Sequence, residues 1–173
     1  LSAMLKISGP RITLNYSEIG RESPWSVPTR ATLRIVQALS KFLLDTNVCI
    51  RLLNKKHTSI ERHLKQHQPR EILLCSIVKA ELLYGARHSR QVENNLQLLK
   101  QFFAPFISLT FDDRCAEEAG LIRADLAAQG NPIGPNDLLI AAISRAYNVT
   151  LVTHNTREFA RITGLRVIDW ESE

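Results

Sequence analysis

Three carboxylates stand at comparable points of this chain. Asp45 closes the apolar run F-L-L, Glu81 lies in A-E-L-L-Y just after the apolar run I-L-L-C, and Asp137 opens the run D-L-L-I-A-A. A fourth position, Asn155 in V-T-H-N-T, presents an amide. Carboxylates that converge with no Lys or Arg among them repel one another, and burial adds to that cost, so their pKa values rise. A divalent cation relieves both penalties. Oxygen-only donors favour Mg²⁺ or Mn²⁺ over zinc, which recruits Cys or His. Such an ion activates water and neutralises charge on a phosphoryl oxygen, so phosphodiester hydrolysis is the chemistry this set suits.

Each acid also has a simpler explanation when taken singly. Asp45 before Thr46 and Asn47 reads as a helix cap region. Glu81 reads as a solvated helix residue, and Asp137 as an acid favoured by a helix dipole. Asp112, Asp113, Glu117, Glu118 and Asp125 compete as ligands, the first two reading as caps and the others as polar helix faces. Their positional coincidence across three separate βα units favours a shared site.

The elements around these acids alternate. The run at 42–44 is a buried strand, followed by a helix over 48–53 and a second over 59–67 that Pro69 closes. A second buried strand at 71–77 leads into a helix over 76–86, with Val78, Leu82 and Ala86 on one face and Glu81 one position off it. A helix over 92–103, a strand at 107–111 and a helix from Asp112–Asp113 to Gly130 follow. After the turn G-N-P-I-G-P come an apolar helix opened by Asn136 and Asp137, a strand at 149–153, a short helix, and an edge-like strand at 165–170. Strands separated by helices imply an α/β fold: a mostly parallel, twisted sheet of four to five strands flanked by helices. Sites in such sheets lie beyond the carboxyl ends of the strands. All three acids should therefore face that end.

At 173 residues the chain suits one domain with an extension. Residues 1–40 read as an N-terminal extension: Pro10, Pro24 and Pro28 interrupt every apolar pattern, and only 32–40 suggests a short helix. Residues 41–173 carry the domain. Net charge is +5, but residues 1–41 hold six Lys/Arg and two Glu, whereas the remainder holds sixteen basic and fifteen acidic residues. The overall basicity is then weak support for a nucleic-acid partner. No apolar run is long enough to span a membrane, and no leader pattern is present, so a cytoplasmic location is expected. Cys49, Cys75 and Cys115 have neither zinc-site nor disulfide spacing and read as buried thiols. His63 and His67 read as a solvated helix face. No Gly-rich phosphate loop supports a nucleotide-handling enzyme.

The segments F-L-L-D-T-N-V-C-I, A-E-L-L-Y-G-A-R, G-N-P-I-G-P-N-D-L-L-I-A-A and L-V-T-H-N-T-R-E-F resemble, in that order, the PIN-domain ribonucleases, and specifically the VapC-type toxins of toxin–antitoxin modules. The resemblance covers residues 41 to about 170. It implies a PIN-like three-layer fold and a Mg²⁺- or Mn²⁺-dependent endoribonuclease that is usually a homodimer. It also implies a cognate antitoxin that fills the active-site groove. Asp45 and Asp137 match the family's two metal-binding aspartates, Glu81 its second-motif acid, and Thr153 its small hydroxyl residue. Asn155 falls where many members have a fourth acid, and Thr46 follows the first aspartate as a supporting residue. The subgroup it most resembles cleaves initiator tRNA. Lys55, Lys56, Arg87 and Arg90 are candidate phosphate contacts, and read equally as solvated faces. The alternative reading is a PIN-like module that binds RNA or protein without cleaving.

Overall fold

A computed structural model describes residues 41–54 and 58–172. The expectations for residues 1–40, including the helix at 32–40, and for Lys55 and Lys56 lie outside the described residues.

The sheet has five strands, β1 (Phe42–Leu44), β2 (Ile72–Cys75), β3 (Ile107–Leu109), β4 (Thr150–Val152) and β5 (Val167–Ile168), in the order β3-β2-β1-β4-β5. Every neighbouring pair is parallel. Leu43 and Leu44 are adjacent, so their side chains leave opposite faces of the sheet, yet both are 0% exposed. Ile72 to Cys75 are likewise fully buried. Both faces of the sheet are therefore covered, as parallel sheets require.

Helices α1 (Thr46–Leu53) and α2 (Thr58–Gln66) connect β1 to β2, and α3 (Ser76–Arg87) and α4 (Val92–Phe103) connect β2 to β3. Helices α5 (Asp113–Ala128) and α6 (Pro135–Ala146) connect β3 to β4, and the one-turn α7 (Thr156–Phe159) precedes β5. The apolar face expected of α3 is present: Val78, Leu82 and Ala86 are buried. Truncating Leu82 to Ala would cost about 2–5 kcal/mol, because the packed neighbours cannot close the cavity. Helix α5 starts on Asp112, whose Oδ1 accepts the Cys115 N–H at 3.1 Å, confirming the cap reading. It stops at Gly130, whose φ of +66° is the left-handed conformation that glycine adopts freely.

Two expectations need correction. Helix α1 begins at Thr46, not Val48, because Asp45 rather than Thr46 or Asn47 is its cap. His63 and His67 are not a solvated face: their rings lie nearly parallel to the buried Trp170, at centroid distances of 5.3 and 5.7 Å. Phe42 reaches the same indole at 5.2 Å. The chain after β5 thus folds back over the start of β1, a contact that local spacing cannot report. The three cysteines are free and buried, as expected, and burial pushes the Cys75 thiol up to about 12.

Candidate active site

From β1 the chain moves outward to β2 and β3, then returns to the other side of β1 for β4 and β5. The strand order therefore reverses between β1 and β4, and the crevice at their carboxyl ends is where ligands bind in such sheets. Asp45 follows β1 and Thr153 follows β4. The Asp45 N–H donates to Val152 O at 3.0 Å, so the two strand ends are joined.

Asp45 is only 2% exposed. Its Oδ1 accepts the Thr46 N–H at 2.7 Å, and its Oδ2 accepts the Thr153 hydroxyl at 2.8 Å. Burial raises its pKa; the two hydrogen bonds oppose that rise, and the nearby Glu81 adds to it. The cap and the site are therefore one residue, since capping occupies one lone pair of a carboxylate that offers about four.

Glu81, half-buried on α3, is held by two side chains from other elements. Thr46 Oγ1 donates to its Oε2, and Asn136 Nδ2 donates to its Oε1 at 2.8 Å. Thr46 and Asn136 thus fix the central carboxylate by both oxygens. The family resemblance named Thr46 only as a supporting residue, and the sequence pattern gave Asn136 no role beyond opening a helix.

Asp137 lies in the first turn of α6, after Gly134 and Pro135. Its pKa is pushed up to about 6, first by burial and then by the charges of Asp45, Glu158 and Glu81. Glu158, on α7, comes within hydrogen-bonding reach of Asp137. It was missed from the sequence. Its local pattern, Asn155-x-x-Glu158, reads as a capping pair at a helix start. In the structure the Asn155 side chain makes no capping bond to the backbone; its Nδ2 donates instead to Glu158 Oε2, at 2.9 Å. The amide at the expected fourth-acid position therefore steers an acid one helical turn farther on. Asn155 also ties back to the centre, its N–H donating to Thr153 Oγ1 at 3.0 Å.

Asp45, Glu81, Asp137 and Glu158 offer oxygen donors only. None of the ion pairs among the described residues involves Asp45, Glu81 or Asp137. This contrasts with Asp112, where bonds from Arg114 and the Cys115 N–H outweigh burial and lower the pKa to about 2. Glu158 alone of the four pairs with a cation, Arg161 at 3.8 Å. Raised acids without cations, as Asp45 and Asp137 are, are the surroundings a hard divalent ion relieves, and Mg²⁺ keeps several waters, so the acids need not touch. Among the described residues the one trio of ligand atoms within 4.8 Å of one another is His154, Asp169 and Glu171. Arg51 already donates to the Glu171 carboxylate there, and His154 to Asp169, so that trio is a paired network. Of the candidate phosphate contacts, Arg87 and Arg90 are exposed at the C-terminal end of α3.

The PIN domain pattern matches residues 42–165. The chain belongs to the PIN-domain family. The tRNA(fMet)-specific endonuclease VapC of Shigella flexneri is 41% identical over 130 residues, spanning 75% of this chain and 98% of that protein. A crystal structure of DNA-bound VapBC from Salmonella typhimurium superposes with a TM-score of 0.73 at 38% identity, covering 76% of this chain and 99% of the other. VapBC2 from Rickettsia felis, bound to a promoter DNA fragment, gives 0.70 at 37% identity, covering 75% and 98%. The PIN domain and its parallel sheet are as expected, and the relatives are VapC ribonucleases. No helix among the described residues is long and apolar enough to cross a membrane.

Proposed function

We propose that this chain is a metal-dependent endoribonuclease that acts as the toxin of a VapBC-type pair, with Asp45, Glu81 and Asp137 at its centre. One observation carries this reading: Asp45, Glu81 and Asp137 come together at the β1/β4 crevice without an ion pair, and burial raises the pKa of Asp45 and Asp137 there. Asp45, Asp137 and Glu81 would hold Mg²⁺ or Mn²⁺, with Glu158 joining them as the fourth acid. When bound, the ion supplies an activated water and neutralises charge on the scissile phosphate.

The protein's own part is positional. Thr153 and the Thr46 N–H fix both oxygens of Asp45 and oppose the burial that raises its pKa. Thr46 and Asn136 lock Glu81 by both oxygens, so it cannot swing away when a phosphate enters. Asn155 keeps Glu158 beside Asp137. Removing such supports lowers metal affinity or activity about 10–100-fold in other sites.

Similarity to a tRNA(fMet)-specific endonuclease supports initiator tRNA as substrate. Similarity to VapBC complexes supports a cognate antitoxin as partner. The test is cleavage of initiator tRNA by the purified chain with Mg²⁺ or Mn²⁺, with 5′ ends mapped. Asp45→Ala and Asp137→Ala are expected to abolish cleavage. Undiminished cleavage in EDTA would overturn the metal mechanism, and binding without cleavage by the native chain would favour a binding module.

A further inference from the structure

We infer that Tyr84, backed by His88, is a stacking surface for one unpaired nucleobase of the RNA beside the acid centre; this rests on the ribonuclease reading. Tyr84 is 65% exposed, one of two large hydrophobic side chains left in solvent among the described residues. It follows Glu81 by three residues on α3, which puts the two on adjoining surface about 5–6 Å apart at Cβ. Helical Cα–Cβ bonds tilt toward the N-terminus, which for Tyr84 is the direction of Glu81. An aromatic face one turn from a phosphate-cleaving centre is within reach of a base flanking the scissile bond.

The ring is also held in place. His88 lies 4.1 Å from it between centroids, and His88 Nδ1 is 3.1 Å from the Tyr84 carbonyl oxygen. Ser89 Oγ donates to Ala86 O at 2.6 Å and ties down the same turn. The His88 contact covers part of the ring and leaves the rest of its surface open to a stacked base. The neighbours decide between RNA and protein. The exposed positions around Tyr84 are Ala80, Arg87 and His88, with Arg90 just beyond, so the ring sits among cations rather than within an apolar patch. Arginines flanking an exposed aromatic are the combination that takes a single strand, phosphates on the cations and a base on the ring.

The test uses the full chain carrying Asp137→Asn, with Mg²⁺ and a short single-stranded RNA as probe. Tyr84→Ala is expected to weaken binding about tenfold, since stacking losses of that order follow aromatic removal. Tyr84→Trp is expected to restore it. Replacing nucleotides one at a time by abasic residues should reveal one position where base loss weakens the parent but not the Tyr84→Ala chain. Equal binding by Tyr84→Ala, or a loss coupled to no base, would overturn the inference. So would a change from dimer to monomer on sedimentation with RNA affinity unaltered, which would mark a protein contact. If the parent bound no RNA, the ribonuclease reading would fall with it; if the parent bound RNA and Tyr84→Ala bound it equally well, only the stacking role would fail.

Discussion

Thr153 Oγ1 donates to Asp45 Oδ2 at 2.8 Å, and both residues are buried although 108 positions separate them in sequence. This bond sets the ionisation of Asp45 against a burial that opposes it. Thr153→Val removes the donor at nearly constant volume and leaves a buried oxygen short of a partner. We expect a loss of about 1–3 kcal/mol in urea unfolding and a fall of about 10–100-fold in single-turnover cleavage. The acid limb of the pH–rate profile should move to higher pH, because Asp45 becomes harder to ionise. Thr153→Ser should restore all three.

Asp137 titrates in the folded chain at about 6, above its ordinary 3.8. The folded state therefore holds that proton more tightly than the unfolded state. The associated stability is full below about pH 3.8 and is lost as pH rises through about 6. Allowing for solvent at this half-buried group, the loss is of order 1 kcal/mol. In EDTA the Asp137→Asn chain is expected to melt above the parent at pH 7 and level with it near pH 4. Mg²⁺ should raise the parent's melting temperature more at pH 7.5 than at pH 5, because ligation needs the ionised acid. A melting curve independent of pH in the parent would contradict this.

Gly134 is near the same carboxylate. A Cβ built there would lie 3.3 Å from Asp137 Oδ2, while the backbone φ of −56° suits any residue. Gly134→Ala should therefore fold normally and displace the carboxylate by a few tenths of an ångström. The expected signature is a higher Mn²⁺ concentration for half-maximal cleavage with an unchanged melting temperature. An unchanged metal requirement would show that Asp137 tolerates the shift.

Glu158→Gln removes one of the charges that raise the Asp137 pKa. The acid limb of the pH–rate profile is then expected to move to lower pH, while metal affinity weakens as a ligand oxygen loses its charge. Isothermal titration with Mn²⁺ and the pH–rate profile together separate these two effects.

Residues 1–40 are expected to be dispensable for folding, provided the cut spares Lys41. The Lys41 carbonyl accepts the Thr150 N–H at 2.9 Å, and its ammonium donates to the Arg70 carbonyl. Cutting before Lys41 should leave the melting temperature within about 3 °C. Cutting after it should lower the temperature further.

Much of this was legible in the sequence because it is local. Runs such as I-L-L-C identify strands buried on both faces, and acids placed just past such runs fall at one end of the sheet. Asp45, Glu81 and Asp137 were found this way. What was missed depends on contacts between distant segments. Asn136 was read as a helix opener, and its bond to Glu81 appears only when α3 and α6 meet. Glu158 gave no local signal of the site because the acid it affects, Asp137, lies on another helix, and His63 and His67 were misread because Trp170 arrives from the far end of the chain. A residue that serves local structure and the site together, as Asp45 does, gives no separate signal for its second role.

The reversal of strand order at β1 has a consequence for how activity arises during synthesis. Asp45 is the first of these acids to be translated, but Thr153 and Glu158 come from the last fifth of the sequence, and β4 must add to the open edge of β1 to bring them in. A nascent chain that has completed β1, β2 and β3 therefore holds Asp45 and Glu81 with no counterpart across the crevice. Cleavage is therefore expected only from chains that extend through β4 and α7, and a product cut before Thr150 is expected to be inactive.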